Sequence, residues 1–344
     1  MPRPMGELRR LLLEWNSLVP IAQERGIRRI QGALVEPRAH FQMDRVEARR
    51  RVADLRAQVA PFFAPNLSAD LSSDTFGVEL EFYLPVGQTH ETLAAAIRAV
   101  GVMCQAEMYG HTSRTYWKVT TDGSLGDFTR GTELVSPPLS GEAGFDALRK
   151  VCNLLTSLRC KVNRKCGLHV HVGCRDRNVE FFKSLVLAYR HFEPTIDSIL
   201  APSRRGANGG DGFCQSSRID YQRLVNATTV REVGIASGQT HFDHTRSSSR
   251  YRKLNLMSFV PYGTVEFRQH QGTVEARKAE MWVRLCMRVV KAAEQAPMAQ
   301  VTARASDFDG LASFTGMTEI ERQYFAERRE FFAAATNPQQ RRVA

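Results

Sequence analysis

Two glutamates, Glu79 and Glu81, stand two residues apart in the segment TFGVELEFYL, which covers residues 75–84. Apolar residues alternate with them, and a period of two with aromatic and β-branched content predicts a β-strand. Residues two apart on a strand point to the same face, about 7 Å apart. We therefore expect both carboxylates to project together from an apolar backing, although a lone pair of this kind is also typical of a solvated strand.

Two later segments have the same design. In GLHVHVG, residues 167–173, His169 and His171 share one face, and in GTVEFRQH, residues 263–270, Glu266 and Arg268 do so. The segment GTELVSPPL, residues 131–139, contains a short strand that two prolines end, and it adds Glu133. If these segments lie in one sheet, their ionisable faces line a common pocket that suits metal ions and phosphate.

Carboxylates that face one cavity repel each other, so protons or cations must compensate their charge. Mg²⁺ and Mn²⁺ prefer carboxylate oxygens and tolerate an imidazole, whereas this set of residues suits tetrahedral zinc poorly. A neighbouring arginine stabilises the charge of a transferring phosphoryl group. The residues alone therefore favour a metal-dependent phosphoryl-transfer enzyme, and its nucleotide site is not a P-loop because GxxxxGK[ST] is absent.

The cysteines offer an alternative metal site. Cys166 and Cys174 flank the histidine strand, and together with His169 and His171 they would make a zinc site. However, the seven cysteines have no regular spacing and form no CxxC pattern. Irregular spacing in a reducing compartment is typical of free thiols, which we expect here.

The composition is that of a globular protein, with 43% hydrophobic and 24% charged residues in 344. We expect no membrane span, because no run of eighteen apolar residues occurs, and a cytoplasmic location, because the start does not resemble a signal peptide. The net charge of +11 is compatible with nucleic acid. No aromatic platform or nucleic-acid motif favours that partner, and an acidic substrate or a phosphorylated cofactor explains the charge equally well.

Helical periodicity and breakers divide the chain into three parts: a basic helical extension over 1–70, a catalytic domain over 71–300 and a helical segment over 301–344 packed on that domain. Helices are predicted at 8–18, 42–63, 89–100, 145–158, 181–199, 275–293 and 318–335. Pro194 is expected to kink or interrupt one of them. A strand over 115–120 leads into a turn at Asp122, and a glycine-rich loop over 202–212 begins with Arg204 and Arg205.

Six motifs in order resemble those of the amidoligase family, carboxylate–amine ligases related to glutamine synthetase and glutamate–cysteine ligase. They are GVELEF, TDGSL, GTELVSPPL, GLHVHVG, RYRKLNL and GTVEFRQHQGT, and they cover about residues 75–293. The resemblance implies an α+β fold with a glutamine-synthetase-like catalytic domain, in which helices pack outside a curved, mainly antiparallel sheet. It leaves the segment before Thr75 without a match.

The resemblance also implies roles for individual residues. Metal ligands for two or more divalent ions would be Glu79, Glu81, Glu133, His169 and Glu266. Arg268 would bind the transferring phosphate, and Asp122 would orient or deprotonate the incoming amine. His171 would line the nucleotide site, and the phosphate or substrate contacts would be Arg204, Arg205 and Arg252.

The implied reaction uses ATP and Mg²⁺ or Mn²⁺ to convert a substrate carboxylate into an acyl phosphate, which an amine then turns into an amide. The partners would be a carboxylate and an amine from an amino acid, a peptide or a protein tail. Two alternatives are a metal-dependent phosphotransferase on the same scaffold and a non-enzymatic, basic binding or assembly protein. The sequence leaves the two substrates and the oligomeric state open, a homo-oligomer included.

Overall fold

The computed structural model describes residues 74–110, 112–127, 129–239 and 248–336, with Leu71 and five residues before it: Glu14, Glu47, Arg50, Arg51 and Asp54. The chain divides into two compact units, Met1–Asp70 and Leu71–Ala344. In the first unit the described residues are helical, and Arg51 Nε donates to Glu14 Oε1 at 2.6 Å. The helices predicted at 8–18 and 42–63 otherwise lie outside the described residues, as does the tail after Pro338.

The second unit is built on a seven-stranded sheet in the order β2-β3-β4-β1-β5-β9-β8, and a small hairpin joins β6 to β7. Within the large sheet only the edge pair β2/β3 is parallel. The mainly antiparallel sheet and the mixed α/β content confirm the predicted class, whereas the likeness to glutamine synthetase stays a prediction. The strands are β1 (Phe76–Tyr83), β2 (Cys104–Ala106), β3 (Trp117–Thr121), β4 (Gly131–Val135), β5 (Gly167–Gly173), β6 (Asn208–Gly209), β7 (Cys214–Gln215), β8 (Leu254–Asn255) and β9 (Thr264–Gln271).

Helices fill most of the remaining described chain. They are α1 (His90–Ala99), α2 (Gly141–Ser157), α3 (Val179–Ser198), α4 (Tyr221–Asn226), α5 (Val230–Ala236), α6 (Phe259–Tyr262), α7 (Ala276–Gln295), α8 (Met298–Thr302), α9 (Phe308–Thr315) and α10 (Glu319–Thr336). Helix α3 continues through Pro194 without a break. Among the described residues, no helix has both the length and the apolar character that a membrane crossing requires.

The apolar side of the sheet faces the helices. In β1 the alternate residues Phe76, Val78, Leu80 and Phe82 are almost completely buried. The ring of Phe76 stacks on that of Phe145 in α2 with centroids 4.8 Å apart. Because side chains alternate along a strand, burial of this face leaves the opposite face of β1 to Glu79 and Glu81.

A β-bulge interrupts the pairing of β5 with β9. The register changes between Leu168 and Val170, so that Arg268 and Gln269 of β9 together lie opposite the single residue His169. An extra residue in one strand reverses the alternation of faces beyond it. As a result, His270 packs against Trp282 of α7, with ring centroids 5.2 Å apart, instead of sharing the face of Glu266.

A buried ion cluster lies behind β9 and ties it to α3. Lys253, which has no solvent exposure, places Nζ 3.0 Å from Glu193 Oε1 and 2.7 Å from Asp197 Oδ1. Gln269 donates to the same Asp197 oxygen and accepts from Tyr189 Oη at 2.8 Å. The backbone carbonyl of Lys253 also accepts from the N–H of Arg268, so the cluster supports the strand that carries this arginine.

Replacing Lys253 by methionine would leave the two carboxylates buried without their cation. Loss of one partner of a buried ion pair costs about 3–5 kcal/mol. We expect Lys253→Met to lower the free energy of unfolding by about that amount in urea titrations. Lys150→Met is the control, since Lys150 pairs with Asp146 at the surface and should change stability little. Equal stabilities of the two variants would contradict a supporting role for the cluster.

Candidate functional site

A cleft of about 790 Å³ opens on the polar side of the sheet. Its lining combines both signs of charge in a small volume. The acidic lining residues are Glu79, Glu81, Asp122, Glu133 and Glu266, and the basic ones are Lys118, Lys165, Arg175, Arg204, Arg250 and Arg268. His169 and His171 lie among them, so the cleft gathers all the ionisable strand residues that the sequence selects for metal and phosphate chemistry.

Strand register explains why residues so distant in sequence meet here. Glu81 lies opposite Glu133 across β1 and β4, and Glu79 lies opposite His169 across β1 and β5. His171 in turn lies opposite Glu266 across β5 and β9. Directly opposed residues of an antiparallel pair share a face, so each pairing delivers two ionisable groups to the cleft.

A first group of possible metal ligands consists of Glu79, His171 and Glu266, whose donor atoms lie within 4.8 Å of one another. His171 Nδ1 is 3.0 Å from Thr264 Oγ1, which fixes the ring. Its other nitrogen, Nε2, is buried, and its nearest acidic neighbour in the described residues is Glu79 Oε1 at 3.4 Å. A buried nitrogen of this kind, beside two carboxylates, fits a divalent cation.

The second group consists of Glu81, Asp122 and Glu133, again with donor atoms within 4.8 Å of one another. Glu81 Oε2 accepts from the backbone N–H of Gly167 at 2.6 Å, and Asp122 accepts from both the backbone N–H and the hydroxyl of Ser124. These hydrogen bonds orient two of the three carboxylates. All-oxygen donor sets suit Mg²⁺ or Mn²⁺.

His169 lies between the two groups. Its Nδ1 is 2.9 Å from Glu79 and 3.8 Å from Glu266, and its Nε2 is 3.6 Å from Glu81. The imidazole is almost completely buried. A single ring therefore links carboxylates of both groups. The histidine in the first group of possible ligands is His171, and the ligand role of His169 stays a prediction.

The carboxylates of the cleft differ in how their charge is compensated. Burial alone would raise the pKa of Glu79, but hydrogen bonds with His169 and His171 hold it well below its ordinary value. For Glu133, burial and the charges of Glu79, Glu81 and Asp122 together raise the pKa well above the ordinary value. The second group is thus the one in which the positive charge of Lys118 does not offset the negative charge around Glu133.

Arg268 stands against the first group. Its guanidinium pairs with Glu266 and its Nε donates to the carbonyl of Phe213 at 3.3 Å. Burial would lower the pKa of Arg268, but the carboxylates of Glu266, Glu79 and Glu81 raise it. Asn255 Nδ2 donates to the other oxygen of Glu266 at 2.7 Å, so this carboxylate is oriented from two sides.

The other predicted arginines have different environments. Arg204 lines the cleft but is almost completely buried, and it donates to the carbonyls of Arg268 and Gln269. Arg205 donates twice to the carbonyl of Leu200 and does not line the cleft. Arg252 is also outside the cleft lining, and its donors reach Gln215, Ser216 and Gly238. The sequence predicts phosphate or substrate contacts for all three arginines, whereas only Arg204 lines the cleft.

Several lining residues were missed by sequence reasoning. Lys118 alternates with Thr120 and Asp122 along TYWKVTTD, and the period of two was sufficient to find it. Lys165 and Arg175 lie two residues before and two residues after β5. Apart from Phe76 of β1, no local pattern marks the aromatic residues of the lining, which are Tyr109, Phe213, Tyr251 and Tyr262.

The zinc alternative gains no support from the geometry. All seven cysteines are buried and free. Cys166 Sγ lies 3.7 Å from Asn163 Oδ1, and Cys174 Sγ donates to the carbonyl of Val172 at 3.3 Å. Within the described ranges, neither of the groups that could hold a metal includes a cysteine.

Comparison with known families gives one finding that bears on function. A family model described as "Putative amidoligase enzyme" matches residues 72–290, which include every acidic residue of the cleft. A comparison with curated proteins finds no match.

The effect of the Glu133 charge on stability and on metal binding can be measured by thermal unfolding. Folding raises the pKa of Glu133, so ionisation of this carboxyl lowers the free energy of unfolding as the pH rises through the folded pKa. Glutamine carries no charge, and Glu133→Gln should therefore be at least as stable as the unchanged protein at neutral pH in EDTA. Mn²⁺ should raise the melting temperature of the unchanged protein, and less so that of the variant.

The control for this experiment is Glu319→Gln, an exposed change on α10 that should keep the full response to Mn²⁺. A full Mn²⁺ response in Glu133→Gln would argue against metal binding by the second group.

Proposed function

The chain belongs to the amidoligase family, and on that premise we propose that it is an ATP-dependent ligase that joins a carboxylate to an amine through an acyl phosphate. Membership of this family indicates a ligase-type enzyme. The observation that carries the finer proposal is the position of Arg268 beside two groups of possible metal ligands in one cleft.

Two divalent cations, Mg²⁺ or Mn²⁺, are proposed to bind the two groups of ligands. The first would be held by Glu79, His171 and Glu266, with His169 as the alternative nitrogen ligand, and the second by Glu81, Asp122 and Glu133. When bound, such ions neutralise the carboxylates and polarise phosphate oxygens. The raised pKa of Glu133 supports a requirement for added positive charge, and the buried Nε2 of His171 beside Glu79 supports a nitrogen ligand for the first ion.

In the first step, an oxygen of the substrate carboxylate attacks the γ-phosphorus of ATP, and the bond between the γ-phosphorus and ADP breaks with its electrons going to the β-phosphate oxygen of the departing ADP. Arg268 is proposed to bind the transferring phosphoryl group, because a planar guanidinium matches two of its oxygens. Glu266 and Asn255 hold the arginine and its carboxylate partner in place. The contribution of the protein is therefore orientation and charge compensation rather than covalent catalysis.

In the second step, the amine nitrogen attacks the carbonyl carbon of the acyl phosphate, phosphate departs with the C–O bonding electrons, and the amine loses a proton. Asp122 is proposed to orient the amine, since its carboxylate is held toward the cleft by the turn that it begins. For Arg204, Arg205 and Arg252 we propose a supporting role, because each donates mainly to backbone carbonyls.

The decisive experiment measures ADP release with Mg²⁺ or Mn²⁺ in the presence of pooled carboxylates and amines. A ligase releases ADP only when both a carboxylate and an amine are present, and an amide appears in equal amount. A phosphotransferase would release ADP with one acceptor and leave a stable phosphorylated product. A basic binding protein would show no turnover and would bind nucleic acid in a salt-dependent way.

Substitution of Arg268 tests the proposed phosphate contact. Lysine keeps the charge but lacks the planar fork, so we expect Arg268→Lys to lower kcat by about a hundredfold. The matched control is Arg231→Lys, an exposed change on α5 outside the cleft, which should leave kcat unaltered. An Arg268→Lys enzyme with normal kcat would rule out this contact.

A further inference from the structure

Two basic side chains in the cleft, Lys165 and Arg175, carry charged groups that make no hydrogen bond or ion pair with the described residues. Of the six cations in the lining, Lys118 donates to the carbonyl of Gly110, and three arginines contact other polar groups: Arg204, Arg250 and Arg268. The charged groups of Lys165 and Arg175 have no hydrogen-bond or ion-pair partner in the described part of the chain. These two cations are therefore available to a ligand.

Lys165 and Arg175 lie at opposite ends of β5, which separates them by its full length. Six steps along a strand span about 20 Å. One carboxylate or one phosphate group cannot contact both side chains over such a distance. The cleft consequently offers two anion-binding ends, with the two groups of possible metal ligands between them.

The Lys165 end adjoins the second group of carboxylates. Asp122 begins the short 3₁₀ turn Gly123–Leu125, which Gly126 ends in a left-handed conformation with φ of 70°. A methyl group added to Gly126 would lie 3.1 Å from Lys165 Nζ, so the ammonium lies directly against this turn. The ammonium thus lies against the end of the turn that begins at Asp122, the carboxylate proposed to orient the amine.

The Arg175 end has a different character. Its guanidinium lies over Gly263, where an added methyl group would come within 2.8 Å of Nε. The neighbouring residue Thr264 orients His171 of the first group. Nearby lining residues Pro261 and Tyr262 are uncharged, and no carboxylate in the described residues lies within ion-pair distance of Arg175. An anion with an uncharged body, such as a nucleotide with its base and ribose, suits this end.

Lys165 and Asp122 both line the cleft and lie at the two ends of one short turn, so this end presents a cation and a carboxylate. Such a pair is complementary to a ligand that carries both an anion and an ammonium group. Resting on the ligase activity proposed above, we propose that the amine substrate is an amino acid, whose carboxylate is bound by Lys165 and whose amino group faces Asp122. Ammonia and polyamines have no group that would use the lysine. The nucleotide accounts for the anion at the Arg175 end.

The test compares amino acids with their amides as amine substrates for the full-length protein with ATP and Mg²⁺. An amide keeps the amino group but has no negative charge. A charge-assisted hydrogen bond to Lys165 should give the amino acid a KM about tenfold lower than that of its amide. In Lys165→Gln this preference should disappear, while the KM for ATP stays constant.

Lys161→Gln is the matched control, since Lys161 is an exposed lysine four residues away that does not line the cleft. It should keep the preference for the amino acid. Arg175→Gln should raise the KM for ATP and leave the preference for the amino acid intact. This pattern across the three variants supports two separate anion-binding ends.

The outcomes separate this inference from the proposed function. Turnover with ammonia or spermidine but not with pooled amino acids would overturn the inference and leave the ligase activity standing, as would an unchanged preference in Lys165→Gln. No ADP release with any amine would overturn both. Amide formation from an amino acid, with loss of the preference in Lys165→Gln, supports both.

Discussion

Repulsion among buried carboxylates is the constraint that shapes this molecule. Five acidic side chains line one cleft, and three of them, Glu81, Glu266 and the partly buried Glu79, are within 4 Å of the single imidazole of His169. Bringing such charges out of water costs free energy unless cations and hydrogen-bond donors compensate them. Their proximity is maintained by the packing of the opposite face of the sheet, where the stacked rings of Phe76 and Phe145 leave β1 little freedom to move.

Alternation along the sequence was enough to identify the strands that carry Glu79, Glu81 and His169 and the face to which these side chains point. It was not enough to say which groups share an ion, because that depends on register between strands far apart in the chain. Thus Asp122 was expected to orient the amine, and it also joins Glu81 and Glu133 as a possible ligand. The bulge in β9 was not predictable, since one additional residue leaves the local pattern of apolar and polar residues unchanged.

The arginines show a second limit of sequence reasoning. A guanidinium near glycines is equally suited to a phosphate and to the carbonyl groups of a turn, and only the folded chain distinguishes these uses. Arg205 and Arg252 donate to nearby backbone carbonyls, whereas Arg175, which no motif marks, lines the cleft and donates to none of the described residues. Family membership in turn indicates a ligase-type enzyme and does not identify its substrates.

The bulge opposite His169 makes the side of the sheet to which each residue of β9 points depend on the number of residues in the strand. Alternation alone directs Arg268 to the cleft and Gln269 to the ion cluster behind the sheet, and the bulge then turns His270 toward Trp282 and returns Gln271 to register with Gly167. Deletion of one residue here would restore strict alternation and exchange the faces of everything on one side of it. Evolution of this strand is therefore expected to tolerate substitutions at many positions but almost no insertions or deletions between Glu266 and Gln271.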